Sequence, residues 1–546
     1  MTFEETKAIK DSLVRTWGPF FGQYGRLLPI QVKAIPMILA GENVVLQSPT
    51  ASGKTEAVVA PIVERILMSE RGKPSFLYIS PTRALIYDLY ERLSLKMSHL
   101  DLEIAVRTGD KHQFRDEAPQ DIVITTPESL DSMLCRSRDS LRNIRFVVLD
   151  ELHLLDSNYR GDQLRLDLAR LEEVIDEKVQ YCALSATFND PGGVAGRYFA
   201  SPVPINVPGR RDMIYEIRPG SKPGEIAELL INLRDEGVRK ILFFCNSRKE
   251  VESLGVQLRE LEIWPGEGVF VHHGSLSFKE REKTEKSMKH MKAVVCVATM
   301  SLEVGVDIGD IDVVVLVGPP PSVSSLLQRV GRGNRRLGTT RAIGLRKTED
   351  ELSEFEFQFK AAINGEIEGR SRGPCLSVAV QQIFSYLYQN QSRGVDQEKM
   401  IALMSKLPLD EEDVNEILLK LEREDFLHLQ SRRILPCDKL LGMGERGFIH
   451  SNIPTTPELK VIDRSTGKVV GEIASFEQMG RSFILSGRRW GVISIKENMI
   501  IVAPVSDAGA ALPTFSPRSQ HGRYTSLLPR ELLSKCCRPL AGESSP

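Results

Sequence analysis

Lys54 and Thr55 close a turn of small residues, Ser48-Pro49-Thr50-Ala51-Ser52-Gly53, and Asp150 and Glu151 stand together about a hundred residues later. Each group has the chemistry to handle a triphosphate. Backbone N–H groups of a turn that opens onto a helix point at anions, and the positive end of the helix dipole adds to them. Gly53 lets the backbone come close to the phosphates, with Ser52 beside it. The Lys54 ammonium reaches β- and γ-phosphates, and the Thr55 hydroxyl can bind Mg²⁺. Ser48 stands where such loops usually carry their first glycine. Asp150 and Glu151 end the apolar run Val147-Val148-Leu149. There Asp150 can hold Mg²⁺ through its water shell, and Glu151 can orient and deprotonate an attacking water. The two groups together imply a site that binds and hydrolyses a nucleoside triphosphate, with Mg²⁺ as cofactor.

Such groups need a parallel sheet that delivers them at strand ends. Asn43-Val44-Val45-Leu46 supplies a buried strand before the turn, and residues 57–67 read as the helix after it. Further apolar runs are Phe76-Leu77-Tyr78-Ile79, Ile122-Val123-Ile124-Thr125, Phe146-Val147-Val148-Leu149 and Tyr181-Cys182-Ala183-Leu184. They alternate with amphipathic stretches, which predicts an α/β lobe over residues 1–205. A Pro/Gly-rich linker follows. The alternation resumes with Ile241-Leu242-Phe243-Phe244, Val269-Phe270-Val271, Val294-Val295-Cys296-Val297 and Val313-Val314-Val315-Leu316, a second α/β lobe over 206–368. Past Gly373-Pro374 three helical patterns and a short strand pair predict a winged helix over 369–436. From 437 to 546 short strands with glycine turns predict a small β-barrel or sandwich, ending in a loosely ordered tail after about residue 508.

The composition is that of a globular chain: 546 residues, 41% hydrophobic and 26% charged, net charge −2. No apolar run is long enough to span a bilayer, and the first residues lack a signal-peptide pattern, so no membrane partner is expected. The charge is uneven. Residues 426–546 carry 16 Lys/Arg against 10 Asp/Glu, and the first 425 residues carry −8. A basic C-terminal quarter can follow a phosphate backbone, or be no more than a solvated surface. The eight cysteines contain no CxxC pair, which points away from zinc and iron–sulfur sites and suits a reducing cytoplasm. No compact acidic or His/Cys metal cluster is visible outside the triphosphate site, so a nuclease is not expected.

The remaining motifs run in order along both lobes. They are Leu28-Pro29-Ile30-Gln31, Pro81-Thr82-Arg83-Ala84-Leu85, Arg107-Thr108-Gly109-Asp110, Thr126-Pro127-Glu128-Ser129-Leu130, Ser185-Ala186-Thr187, His273-Gly274-Ser275, Ala298-Thr299, Gly305-Val306-Asp307 and Gln328-Arg329-Val330-Gly331-Arg332. This set resembles the DExH-box helicases of superfamily 2. Ile449-His450-Ser451-Asn452-Ile453-Pro454 and Gly487-Arg488-Arg489-Trp490 narrow the likeness to the core of the large helicase-related (Lhr) family of DNA helicases, over roughly residues 20–505.

The resemblance implies that both lobes are RecA-like and that ATP is the nucleotide. It implies that Gln31 recognises adenine, that Gly305 and Asp307 complete the ATP site, and that Gln328 faces the γ-phosphate. Arg332 and Arg335 become arginine fingers, although Asn334 stands where the family usually has glycine and Arg336 can replace Arg335. Ser185 and Thr187, near His153, couple hydrolysis to lobe movement. Arg83, Thr108, Gly109, Thr126, Ser247, Gly274 and Thr299 grip one strand. Trp490 is either a base-stacking platform or a core residue of the β-rich region. The implied activity is ATP-dependent 3′-to-5′ movement on single-stranded DNA with unwinding of tailed duplexes or RNA–DNA hybrids, in repair or in defence against foreign DNA. A nuclease or other repair or defence subunit is the implied protein partner. An RNA helicase and an ATP-switched clamp within a complex are the alternatives.

Overall fold

Runs of four to six mainly apolar residues, too short for a helix and flanked by turns, become most of the strands of two parallel sheets. The computed structural model describes residues 3–24, 26–49, 52–69, 72–156, 158–186, 190–207, 212–220, 222–264, 268–303, 308–333, 339–366, 375–454, 458–474, 481–496, 498–506, 509–515 and 522–533. The chain forms two compact units, Met1–Pro208 with Gly369–Thr455 and Ser519–Pro546, and Gly209–Glu368 with Thr456–Arg518.

The first unit is built on β1 (Val44–Gln47), β2 (Phe76–Ile79), β3 (Ile104–Arg107), β4 (Ile122–Thr125), β5 (Phe146–Leu149), β6 (Gln180–Ser185) and β7 (Val203–Asn206). Their order in the sheet is β3-β4-β2-β5-β6-β1-β7, and every pairing is parallel. Side chains alternate across the sheet: Phe76 and Tyr78 enter one apolar cluster, Leu77 and Ile79 the other. Both faces are therefore covered, which is why the strands read as unbroken apolar runs.

The second unit repeats the plan with β8 (Asp212–Pro219), β9 (Lys240–Cys245), β10 (Val269–His272), β11 (Val294–Ala298), β12 (Val313–Val317) and β13 (Thr339–Arg346), in the all-parallel order β10-β11-β9-β12-β13-β8. The two RecA-like lobes expected from the sequence are these two sheets with their helices.

Helices Ser377–Gln389, Gln397–Met404 and Glu411–Arg423 follow, with an antiparallel sheet of β14 (Val395–Asp396), β15 (Leu427–Gln430) and β16 (Arg433–Pro436) in the order β14-β16-β15. Leu166 of the first lobe enters their apolar core. A buried polar cluster adds to this packing. Arg170, fully buried, donates Nη1 to Asp131 Oδ1 at 2.6 Å and to Gln382 Oε1 at 2.9 Å, and Nε to Gln389 Oε1 at 2.8 Å. His450 Nδ1 lies 2.8 Å from Asp131 Oδ2, and the Ser385 hydroxyl donates to the same oxygen at 2.5 Å. Candidate ligand atoms of Asp131, Cys135 and His450 thus lie within 4.8 Å of one another. This corrects the expectation that no such group exists. Arg170 bonds both Asp131 and Cys135 Sγ, so the cluster already holds its cation.

The β-rich region is one five-stranded sheet of β17 (Leu459–Asp463), β18 (Val469–Ile473), β19 (Ser482–Leu485), β20 (Arg488–Lys496) and β21 (Met499–Pro504), in the order β18-β17-β21-β20-β19. Its inner face shares one apolar cluster with the second lobe. The expected boundary at 437 is corrected. Leu440 and Ile449 belong to the helical core of the first unit, as do Tyr524, Leu528 and Leu532 from the stretch expected to be loose. Apolar residues at Tyr524, Leu528 and Leu532 have a helical core to fill, and burial outweighs the Ser/Pro/Gly composition around them.

Candidate nucleotide and nucleic-acid site

The carboxyl ends of the first sheet carry the predicted groups in an order set by strand topology. β1 ends in the phosphate loop and β5 in Asp150-Glu151. β6, which lies between them, ends in Ser185. β3, β4 and β2, on the other side of β5, end in Thr108-Gly109, Thr126 and Thr82-Arg83. One end of the sheet thus carries the residues expected to hold a triphosphate on one side and the loops expected to grip nucleic acid on the other.

In the phosphate loop Gly53 caps the helix Lys54–Leu67 with φ +80°, a left-handed conformation that favours glycine. A Cβ there would stand 2.5 Å from Gln31 Nε2 and 2.9 Å from Leu28 Cδ1. Gln31 is pinned at both ends of its amide: Oε1 accepts from Leu28 N at 2.8 Å, and Nε2 donates to the Gly53 carbonyl at 3.3 Å. Lys54 Nζ bonds the carbonyls of Ser48 and Pro49 at 2.5 and 3.0 Å. The Ser48 and Ser52 hydroxyls are 2.5 Å apart, so Ser48 closes the turn with a side chain where a glycine would have used backbone freedom. Thr55 is the second residue of the helix.

Asp150 and Glu151 are adjacent, half-buried carboxyls. Burial and the charge of Glu151 push the Asp150 carboxyl up to about 7, against the opposing pull of Lys54. A divalent cation at this point would take the place of the proton, and the donor set fits one. Glu151 has φ +44°, a left-handed conformation for a residue with a side chain. Such a conformation costs on the order of 1–3 kcal/mol and persists only where the surroundings impose it. Its amide donates to Asp150 Oδ1 at 3.0 Å, and its buried Oε2 has no hydrogen bond. His153 Nδ1 lies 3.5 Å from that oxygen and 3.2 Å from Ser185 Oγ. Burial lowers the His153 pKa, with Glu151 opposing. The Ser185 carbonyl accepts from Ser48 N at 3.3 Å. Hydrogen bonds link His153, Ser185 and the phosphate loop, and Glu151 stands next to the first of them.

Arg83 is exposed and paired with Asp110, and Gly109 is exposed beside it, where a Cβ would stand 3.0 Å from Arg83 Nη2. Thr108 and Thr126 are buried and spend their hydroxyls on the fold. Thr108 Oγ1 accepts from Lys111 N at 3.2 Å, and Thr126 Oγ1 caps Ser129 N at 3.3 Å. In the second unit Gly274, Thr299 and Ser247 follow the adjacent strands β10, β11 and β9, the same layout as in the first. Gly274 and Ser247 are exposed, while Thr299 is buried against Ser301, 3.3 Å between hydroxyls. Gln328 lies in the helix Val323–Val330. Arg332, just beyond it, is buried and donates Nη2 to the Glu303 carbonyl at 2.7 Å. Thr187, Gly305, Asp307 and Arg335 lie outside the described residues.

Trp490 is a correction. It is 4% exposed, sits in the apolar cluster of the second unit and donates Nε1 to the Leu485 carbonyl at 2.8 Å. With its face packed and its one donor satisfied, it is no platform for a base. Sequence reasoning missed Arg160, whose guanidinium bonds both Glu128 and the Pro81 carbonyl between two of the gripping loops. Its one signal was the Arg160-Gly161 pair ten residues beyond Asp150.

Residues 28–192 match the DEAD/DEAH box helicase family and residues 221–336 the helicase conserved C-terminal domain. The chain belongs to the DEAD/DEAH box helicases of superfamily 2. Within that class it resembles the Lhr core. The "ATP-dependent helicase Lhr-Core protein 2" of Thermococcus barophilus is 31% identical over 94% of this chain and 66% of its own length. The Mycobacterium smegmatis helicase Lhr bound to ssDNA and AMP-PNP superposes with a TM-score of 0.69, 26% identity, 81% of this chain and 62% of that one. The helicase MrfA bound to DNA shares the fold, with a TM-score of 0.73, 23% identity, 93% of this chain and 74% of that one. The chain thus spans somewhat under two thirds of the length of the Lhr relatives. No helix among the described residues is long and apolar enough to cross a membrane.

Proposed function

We propose that this chain is an ATP-driven motor that moves 3′ to 5′ along single-stranded DNA and separates the duplex ahead of it. The observation that supports this most is the shared end of the sheet, with the hydrogen bonds that link His153 and Ser185 to the phosphate loop next to Glu151. The DNA-bound state of the Mycobacterium smegmatis relative favours DNA as the track.

Lys54 gives up the Ser48 and Pro49 carbonyls for the β- and γ-phosphates, so nucleotide binding costs the loop two hydrogen bonds and gains a stronger ionic contact. Glu151 accepts a proton from the attacking water. Asp150 and Thr55 would hold Mg²⁺, which when bound would neutralise charge on the phosphates. Gln31 reads the adenine edge. When the γ-phosphate leaves, the hydrogen bonding of Glu151 changes. His153 passes that change to Ser185, and so to the gripping loops.

We further assign the helices and hairpin of residues 375–436 as a winged helix. Repair or defence against foreign DNA is the setting, with a nuclease or similar subunit as partner. Strand displacement from duplexes carrying a 3′ or a 5′ tail, on DNA or RNA, tests the proposal. Displacement from 3′-tailed DNA with ATP supports it. Displacement only from 5′-tailed or RNA-tracked substrates contradicts it.

A further inference from the structure

Three of the gripping loops follow neighbouring strands, and two of them are the starts of helices. β2 and β4 are paired in register, Ile79 opposite Thr125. Beyond them Thr82 caps the helix Arg83–Ser98, and Thr126 caps the helix Pro127–Arg136. The backbone joins them once past the strands, Ser80 N donating to the Thr125 carbonyl at 2.9 Å. A side-chain tie further out comes from a third helix, Tyr159–Glu172. Arg160 donates Nε to Glu128 Oε1 at 2.5 Å, Nη2 to Glu128 Oε2 at 3.0 Å and Nη1 to the Pro81 carbonyl at 2.6 Å.

We infer that Arg160 is a positioning residue for nucleic-acid binding, fixing the spacing between the Pro81–Arg83 loop and the Thr126–Ser129 loop so that both meet one strand. The inference rests on the motor proposed above. Only a guanidinium can make this contact, because a planar fork meets a carboxylate with two parallel bonds and leaves a third direction for a carbonyl. The side chains of both partners are less than one fifth exposed. Burial alone would push Glu128 up and Arg160 down. Their attraction reverses both shifts, so Glu128 lies below and Arg160 above its ordinary value. The base of the lever is fixed as well. Asn158 Oδ1 accepts from Arg160 N at 2.9 Å, and Gly161 packs where a Cβ would stand 2.5 Å from the Leu155 carbonyl. Each loop keeps its own cap, so the local fold does not depend on Arg160. What depends on it is the distance between the loops, and two phosphates of one strand must be met at a set distance.

The test measures binding of a fluorescent deoxythymidine oligomer by anisotropy, and ATP hydrolysis as the same oligomer is titrated. The variants are Arg160→Lys and the double variant Glu128→Gln/Arg160→Gln. The double variant removes both charges and so leaves no unpaired ion in the fold. Either variant is expected to raise Kd and the half-saturating oligomer concentration by about tenfold, the scale of one lost charge-assisted hydrogen bond. Turnover at saturating oligomer and Tm are expected to stay close to wild type. Unchanged Kd in both variants overturns the inference. So does lower turnover at an unchanged half-saturating concentration, because that places Arg160 in the chemistry. A wild type that binds no oligomer overturns the motor proposal and this inference together. A wild type that binds but is not stimulated overturns the motor alone, and the anisotropy shift still decides the role of Arg160.

Discussion

Replacing Arg170 by methionine removes the guanidinium from a cluster with no access to water. Asp131, also fully buried, is then left with hydrogen bonds from Ser385 and Gln382 and the ring of His450, but no cation. Breaking a buried pair by removing one partner costs about 3–5 kcal/mol, because the remaining charge stays buried. The first unit has roughly 320 residues. At about 2.1 cal/mol/K per residue its unfolding entropy is on the order of 0.7 kcal/mol/K, so Tm is expected to fall by about 4–7 °C. The pH dependence gives a second signature. In the wild type Arg170 and the hydrogen bonds hold Asp131 below its ordinary value in spite of burial. That stability is present above the unfolded carboxylate pKa and is lost only as pH falls through the depressed folded value. In Arg170→Met burial dominates and the folded pKa rises above the unfolded one. The variant therefore regains stability relative to wild type as pH is lowered toward the unfolded value, and loses it as pH rises through the folded one. Adding Asp131→Asn is expected to restore most of the Tm at pH 7. Calorimetric scans from pH 5 to 8 read all three effects. A single variant that melts within 1–2 °C of wild type, or a double variant no better than the single, refutes the reasoning.

Trp490→Ala is expected to destabilise the second unit by about 3–5 kcal/mol, as for other buried aromatics. Denaturant unfolding checks this, and a variant of unchanged stability that loses only nucleic-acid affinity would restore the stacking role. Gly53→Ala puts a Cβ 2.5 Å from Gln31 Nε2 at φ +80°. The left-handed conformation alone costs about 1–2 kcal/mol, so a fluorescent ATP analogue is expected to bind at least about tenfold more weakly by titration. Burial pushes the Cys182 thiol up to about 12, with Arg65 opposing. It is expected to resist alkylation in native protein at pH 8 and to react at once in denaturant, as mass spectrometry of the modified peptides would show.

The central strands were legible because they are covered on both faces, and a fully buried strand announces itself as an unbroken apolar run; β3, β7, β8 and β13, which carry polar or exposed residues, were not. The phosphate loop and the acid pair were legible for a related reason: chemistry restricts which residues can end those strands. Trp490 was not, since an aromatic after Gly-Arg-Arg has the same spacing whether its ring packs inward or stacks on a base. The Arg170 cluster was hidden because it joins residues 131, 170, 382 and 450, and polar residues in amphipathic helices look solvated until a partner helix covers them. Arg160 escaped for the same reason. The hydroxyls of Thr108, Thr126 and Thr299 are used within the fold, which the motifs alone could not show, because a threonine that caps a helix and one that meets a phosphate have the same spacing.

The most direct measurement is ATP hydrolysis by wild type and Glu151→Gln, each without nucleic acid, with single-stranded DNA, and with single-stranded RNA of equal length. The account predicts turnover raised strongly by DNA and abolished by the substitution. Turnover that survives in Glu151→Gln, or that is indifferent to both polymers, would contradict it.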